Sequence, residues 1–277
     1  MVIGWGTKNI CTLVETVFSR NVYLKDYFIM AKQRGKYPLV GTIGGINFYY
    51  LNGEPIARIA GGGFTSEAIK NSPNMQIVRD YNSEFGHASH ISKFFRRALI
   101  PFYYDWDNRN FHWELLPLFM KLKDLDHVNE RGKRRVSEGA NTQEGKKILR
   151  EFEYTPDFRL ALVLPFRFEV NPESFQLNIY DVDPGKIGWR QDADGIELNY
   201  AILETDLEHH NVLHPANSIR LERDSEVGSL HFELSGIPER SKFLLAVAGC
   251  RFYRKEKDEI IRLSDGKSLG ISVLECW

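Results

Sequence analysis

The chain has 277 residues, 43% of them hydrophobic and 13% aromatic, enough to bury a core in one large or two medium domains and too apolar for a solvated tail. A formal net charge of −1 excludes a global field that would recruit nucleic acid or an anionic membrane. Cys11, Cys250 and Cys276 are the only cysteines and form no C-x-x-C pair, which excludes a disulfide framework and a zinc knuckle and points to a reducing, cytoplasmic setting.

Residues 1–29 mix Lys8, Arg20 and Lys25 with apolar residues and lack the continuous apolar stretch and small-residue cleavage site of a secretory signal. Met30-Ala31-Lys32-Gln33-Arg34-Gly35-Lys36 reads as an ordinary translation start, so residues 1–29 are expected to be a start-site extension or weakly ordered arm. No run of about 18 apolar residues occurs, so no membrane span is expected. From Gly41 to Arg58 two short apolar runs flank Asn52-Gly53, a pair that favours the positive φ angles of a tight hairpin turn. Gly61-Gly62-Gly63 then breaks regular structure as a hinge, and Thr65 or Ser66 with Glu67 offers a capped helix start.

Between Glu84 and Leu99 the residues Phe85, Ala88, Ile91, Phe95 and Leu99 recur every three or four positions, which predicts a helix ended by Pro101. A second helical pattern runs from about His112 to Val128, with Pro117 tolerable near its first turn. Arg131 to Lys147 is basic and rich in Gly, Ser, Asn and Thr, the composition of a linker, and a domain boundary is placed near Arg150. Beyond it, short apolar runs alternate with turn signals such as Asp183-Pro184-Gly185, Asp194-Gly195 and Asp265-Gly266, predicting seven to nine antiparallel strands at the usual spacing of about 8–12 residues. Leu244 to Ala248 is the expected central strand. The expected fold is α+β: an N-terminal β-hairpin and two helices in residues 30–150, followed by an antiparallel β-sandwich in residues 151–277.

Several constellations carry both a chemical and a plain reading. Gly61-x-Gly63-x-x-Ser66 lacks the Lys-Ser or Lys-Thr pair and the βαβ alternation of a phosphate-binding loop, so a hinge is favoured. Asp181, Asp183, Asp192, Asp194 and Glu197 supply hard oxygen ligands, and Asp192-Ala193-Asp194-Gly195 opens like a calcium loop, but the full twelve-residue pattern is missing and Asp-Gly equally serves a hairpin turn. Asp206, His209, His210 and His214 concentrate metal-ligand types, yet Pro215 and the neighbouring strand patterns favour a polar interstrand loop over a zinc hydrolase. His87 and His90 read as packing or surface histidines. No cysteine sits in a context that would activate it. The basic loop Arg131–Arg135 is flanked by Glu130, Glu138 and Glu144, which favours a solvated loop over phosphate contact.

The segment Gly41 to Leu99 resembles the opening of a group of uncharacterised bacterial proteins. The matching residues are Gly41-Thr42-Ile43-Gly44 with Phe48-Tyr49, then Arg58, then Pro73-x-x-Gln76-x-x-Arg79 with Asn82 and Glu84-Phe85-Gly86, and later Arg131-Gly132-Lys133-Arg134. These proteins are similar in layout to small phage-derived or injection-system structural proteins. The resemblance implies a structural role and places no activity on any residue.

The resulting expectation is a non-enzymatic structural or assembly protein without a cofactor. A protein partner or self-association is expected through Ile46, Phe48, Tyr50 and Arg58, because a lone hairpin must pack its face or pair its edges; neither nucleic acid nor membrane is an expected partner. The alternative is a calcium- or carbohydrate-binding β-sandwich module that uses Asp181, Asp183, Asp192, Asp194 and Glu197 with aromatics such as Trp189.

Overall fold

The computed structural model describes residues 30–33, 36–60, 65–104, 106, 111–257 and 259–277. The expected arm at 1–29 and the Gly61–Gly63 hinge lie outside the described residues. The chain divides into two compact units, residues 1–76 and 77–277.

In the first unit, β1 (Met30–Lys32), β2 (Gly41–Ile43), β3 (Ile46–Leu51) and β4 (Glu54–Ile59) form an antiparallel sheet in the order β1-β4-β3-β2. The hairpin read from Asn52-Gly53 is present, with φ of 51° and 80° at its two turn residues. A second turn of the same kind at Gly44-Gly45, φ 56° and 78°, adds β2 to the same sheet. After it, Thr65 caps α1 (Ser66–Asn71) by accepting the Ala68 N–H at 3.1 Å.

The second unit begins with α2 (Gln76–Ala98), which starts earlier than its apolar periodicity announced, and continues through α3 (Ile100–Tyr103) and α4 (Phe111–Asp124). Two short helices follow where a linker was expected: α5 (Val136–Ala140) and α6 (Gln143–Glu151), the latter capped by Thr142, whose hydroxyl accepts the Gly145 N–H at 2.9 Å. The glycines that look like loop signals here serve close packing. A Cβ on Gly139 would overlap the Leu122 carbonyl, and one on Gly145 the Gly139 carbonyl. Arg150 therefore sits inside α6, not at a domain boundary.

After α7 (Leu160–Val163), nine strands are described: β5 (Arg167–Val170), β6 (Leu177–Tyr180), β7 (Gly195–Thr205), β8 (Asn211–Pro215), β9 (Ile219–Glu222), β10 (Ser229–Phe232), β11 (Phe243–Glu256), β12 (Glu259–Arg262) and β13 (Leu269–Cys276). The expected central strand is β11, which pairs with β7, β12 and β13. Strands β7 to β9 and β11 to β13 make a six-stranded sheet, and β10-β6-β5 a three-stranded one. Alternation along β7 and β11 gives each face of the large sheet its own core. Ile196, Leu198, Tyr200 and Ile202 pack with Leu177, Ile179, Leu230 and Phe232 of the small sheet. Ala201, Leu203, Leu245 and Val247 pack on the other face with Ile91 and Phe95 of α2, Leu99 just after it, and Leu115, Phe119 and Leu122 of α4. The fold is α+β as expected, but helices and strands share one core, so the chain divides at residue 76 and not near Arg150.

The helical layer is pinned by a buried ion pair. Glu84 of α2, 1% exposed, accepts from Lys123 Nζ of α4 at 2.7 Å and from the Gly132 N–H at 2.7 Å. Lys123 is equally buried and also reaches Asp124 Oδ1 at 2.6 Å. Burial works against the charged form of both groups, but hydrogen bonds from Lys123 and the Gly132 amide leave the Glu84 pKa lowered, and those to Asp124 and Glu84 leave the Lys123 pKa raised. Asp126 organises the next turn. Burial pushes its pKa up, but donation from the Arg135, Asn129 and Val128 N–H groups and the Asn129 side chain holds it at about 2.

Removing one partner of a buried pair strands the other charge, so Glu84→Ala is expected to lower stability by about 3–5 kcal/mol. In a urea-unfolding double-mutant cycle, adding Lys123→Met to Glu84→Ala should cost less than the sum of the single changes; strict additivity would show that the pair does not hold α2 to α4.

Candidate functional site

Strand register sorts the N-terminal sheet into two unlike faces. Ile46, Phe48 and Tyr50 lie opposite Ile59, Ala57 and Pro55, while Gly41 and Ile43 pair with Phe48 and Ile46, and Ala31 pairs with Ala57. Residues directly opposite in an antiparallel pair share a face. One face is therefore apolar at all nine of these positions, and it is open to solvent: Ile43 is 56%, Ile46 41%, Tyr50 51% and Ile59 61% exposed.

The other face carries the polar chemistry. Lys32 pairs with Glu54 at 3.3 Å, Thr42 donates to Asn47 Oδ1 at 3.4 Å, and the Arg58 guanidinium lies 5.5 Å from the centre of the Tyr49 ring. The structure thus brings Ile46, Phe48 and Tyr50 together and puts Arg58 on the opposite side of the sheet.

The acidic residues of the predicted calcium set are dispersed and internally engaged. Asp181 holds a left-handed φ of 57°, and Asp183 caps a short 3₁₀ turn by accepting the Gly185 N–H at 2.9 Å. Asp192 is forked to Arg190 at 2.8 and 2.9 Å, and Asp194 accepts the Lys255 N–H at 2.7 Å. Asp194-Gly195 is not the hairpin turn its sequence allowed; Gly195 is the first residue of β7, opposite Tyr253. Trp189 is not an exposed platform either. It packs against the inter-sheet core and donates its indole N–H to the Pro184 carbonyl at 2.8 Å. Among the described residues, no three His, Cys, Asp or Glu side chains converge as metal ligands.

Glu197 belongs to a different arrangement. It is buried on β7, accepts from Arg220 Nε at 2.9 Å and Arg262 Nε at 2.7 Å, and lies directly opposite Arg251 of β11. Burial raises its pKa, but the Arg262 and Arg220 hydrogen bonds leave it below the usual value. Phe102 packs against Gly249 on this face, and beyond it the surface becomes polar in a cleft of about 320 Å³. Glu197, Asn199, Arg251 and Arg262 line it opposite Pro101, Phe102 and Tyr104. The sequence placed Glu197 with the aspartates because they are neighbours in the chain. Its real partners lie 23 to 65 residues away and are set by strand register.

The histidine-rich segment is the tight β7–β8 connection expected of it. Asp206 Oδ1 accepts the N–H groups of Glu208, His209 and His210 at 2.8 to 2.9 Å. His210 and His214 both turn to the buried Glu204, at 3.3 and 3.0 Å, which also accepts the Glu239 N–H at 2.8 Å. His209 points elsewhere, edge-on to His90 of α2 at 5.7 Å. No family model, curated protein or solved structure matches the chain, so the site is read from its geometry.

Because the Glu197 pKa is lowered in the folded state, its contribution is complete above the ordinary value of 4.5 and is lost as pH falls through the folded value. Glu197→Gln is expected to cost about 1–3 kcal/mol at neutral pH. The gap between the urea-unfolding midpoints of the two proteins should narrow as pH is lowered below 4.5; a gap that does not narrow would remove the charge from the explanation.

Proposed function

We propose that this protein is a non-catalytic assembly component of a reducing, cytoplasmic compartment that self-associates through the apolar face of its N-terminal sheet. The uniform face formed by Ile43, Ile46, Phe48, Tyr50 and Ile59 is the observation that carries this reading. A four-stranded sheet of strands three to six residues long needs a packed face to be stable. The face offers no charge for an ionic partner to complement, whereas a second copy presents a matching apolar surface in a two-fold arrangement. The net charge of −1 leaves little long-range repulsion between copies. The resemblance of Gly41–Leu99 to uncharacterised bacterial proteins, themselves similar in layout to phage-derived structural proteins, favours the same role. Buried thiols at Cys250 and Cys276, the latter pushed up to about 12 by burial, fit a reducing setting. Among the described residues, no helix is long and apolar enough to cross a membrane.

A charge on this face should abolish association, whereas the same charge on the other face should not. Mass photometry across a concentration series is expected to show dimers or larger species for the native protein and for Thr42→Glu, and monomers for Phe48→Glu. A native protein that stays monomeric throughout, or a Phe48→Glu variant that still associates, overturns the reading.

A second reading, carbohydrate binding, is favoured by the cleft beside Glu197, where exposed Tyr104 faces Asn199 and Ser218. Aromatic and hydrogen-bonding groups converging in one concavity suit a sugar ring. A broad glycan array with Tyr104→Ala as control tests it: binding lost in the variant supports the reading, and no binding removes it.

A further inference from the structure

A second concavity lies on the helical layer, far in sequence from both the N-terminal sheet and Glu197. Residues Gly86, Ser89, His90, Lys93 and Arg96, related by three- and four-residue spacings such as 86/90, 89/93, 90/93 and 93/96, lie along α2 and meet His112 of α4 around a cleft of about 410 Å³. Spacing of this kind places the α2 residues in one stripe on the helix. Two fixed cations and two imidazoles line the cleft, and among the described residues its lining has no carboxylate. Residues 85–104 contain neither Asp nor Glu, so α2 supplies no neutralising charge of its own from Phe85 onward.

Two nitrogens in this wall are orphaned. Arg96 Nε and His112 Nδ1 are buried without a hydrogen-bond partner among the described residues. Buried polar groups are normally satisfied, and leaving one unmade costs about 1–3 kcal/mol. That both fall in the same cleft, beside Lys93 and His90, is unlike the Glu197 site, where the buried carboxylate is held by two arginine forks. His112 is the second residue of α4, a fourteen-residue helix, so the positive end of that helix dipole adds to the field of the side chains.

We propose that this cleft binds a phosphate group carried by a small molecule. A phosphate oxyanion presents several acceptors at once, which suits a guanidinium, an ammonium and two imidazoles converging from two helices. The volume exceeds what one oxyanion needs and leaves room for the body of a small ester within the range of ordinary ligand sites. On binding, the oxyanion draws Arg96 and His112 onto its oxygens and so supplies the acceptors that the unliganded cleft lacks.

Isothermal titration of the full chain at low salt with inorganic phosphate, pyrophosphate and a thymidine oligonucleotide tests this. The expected result is pyrophosphate binding with Kd of about 1 mM or tighter, weakened roughly tenfold by Arg96→Met and by Lys93→Met, the loss of one charge-assisted contact in each case. Lys93 is exposed, so Lys93→Met leaves folding intact even if Arg96→Met does not. Lys147→Met, at an exposed site on α6, should bind as the native protein does. No binding of either phosphate species, or equal weakening by Lys147→Met, overturns the proposal. So does an oligonucleotide that binds far more tightly than pyrophosphate with a steep salt dependence, which would mark a polynucleotide surface instead.

Discussion

The helical layer of this protein depends on one buried charge. Glu84 sits at the meeting point of α2, α4 and the turn at Gly132, and its two oxygens are taken by Lys123 and the Gly132 amide. Burying an ammonium and a carboxylate carries a large desolvation cost, repaid only when geometry is good and the remaining hydrogen-bonding positions are filled. Both conditions are met: Asp124 takes Lys123 from the other side, and Arg134 lies 3.9 Å from Glu84 Oε1. Gly132 can approach because it has no side chain and holds a φ of 87°; a Cβ there would crowd Asp80. The pair fixes the position of α2, and with it the stripe of Ile91, Phe95 and Leu99 that covers the large sheet.

That sheet is a wall with two different coverings. Its even-numbered β7 residues face the small sheet and its odd-numbered ones face the helices, so a continuous apolar run such as Leu244–Ala248 is required, not merely tolerated. Where the odd-numbered face turns polar, the row Arg220, Glu197 and Arg251 crosses three adjacent strands. Charges placed opposite one another in a ladder neutralise each other at short range, which lets Glu197 and Arg251 remain buried.

The two units solve the same problem differently. Within residues 77–277 the large sheet is covered on both faces, although Trp113, Ile237 and the α2 residues Ile77, Tyr81 and Phe85 are exposed. Among the described side chains of the N-terminal sheet only Ile56 is buried, and it lies on the polar face. The other face of this sheet leaves Ile43, Ile46, Tyr50 and Ile59 exposed. Residue pattern alone could read Ile46, Phe48 and Tyr50 as one face, because strand periodicity is two. It could not tell that Arg58 falls on the other face, since that depends on the register fixed by the Asn52-Gly53 turn.

Much of the fold was legible along the chain, and the reason is local. Turn dipeptides, the Thr65 cap and the three-to-four spacing of Ala88, Ile91, Phe95 and Leu99 act over a few residues, so they announce themselves in order. Gly139 and Gly145 misled because glycine signals a turn and a close helix contact equally well, and only the neighbouring Leu122 and Gly139 carbonyls distinguish the two. The sequence by itself determined the hairpin, the two long helices and a strand-rich second half. Tertiary structure alone decided that helices and strands share a core, that Glu84 meets Lys123 39 residues away, that Glu197 belongs to Arg220 and Arg262, and that His112 closes a cleft with Lys93 and Arg96. Those pairings are set by packing angle and strand register, quantities that no short stretch of residues contains.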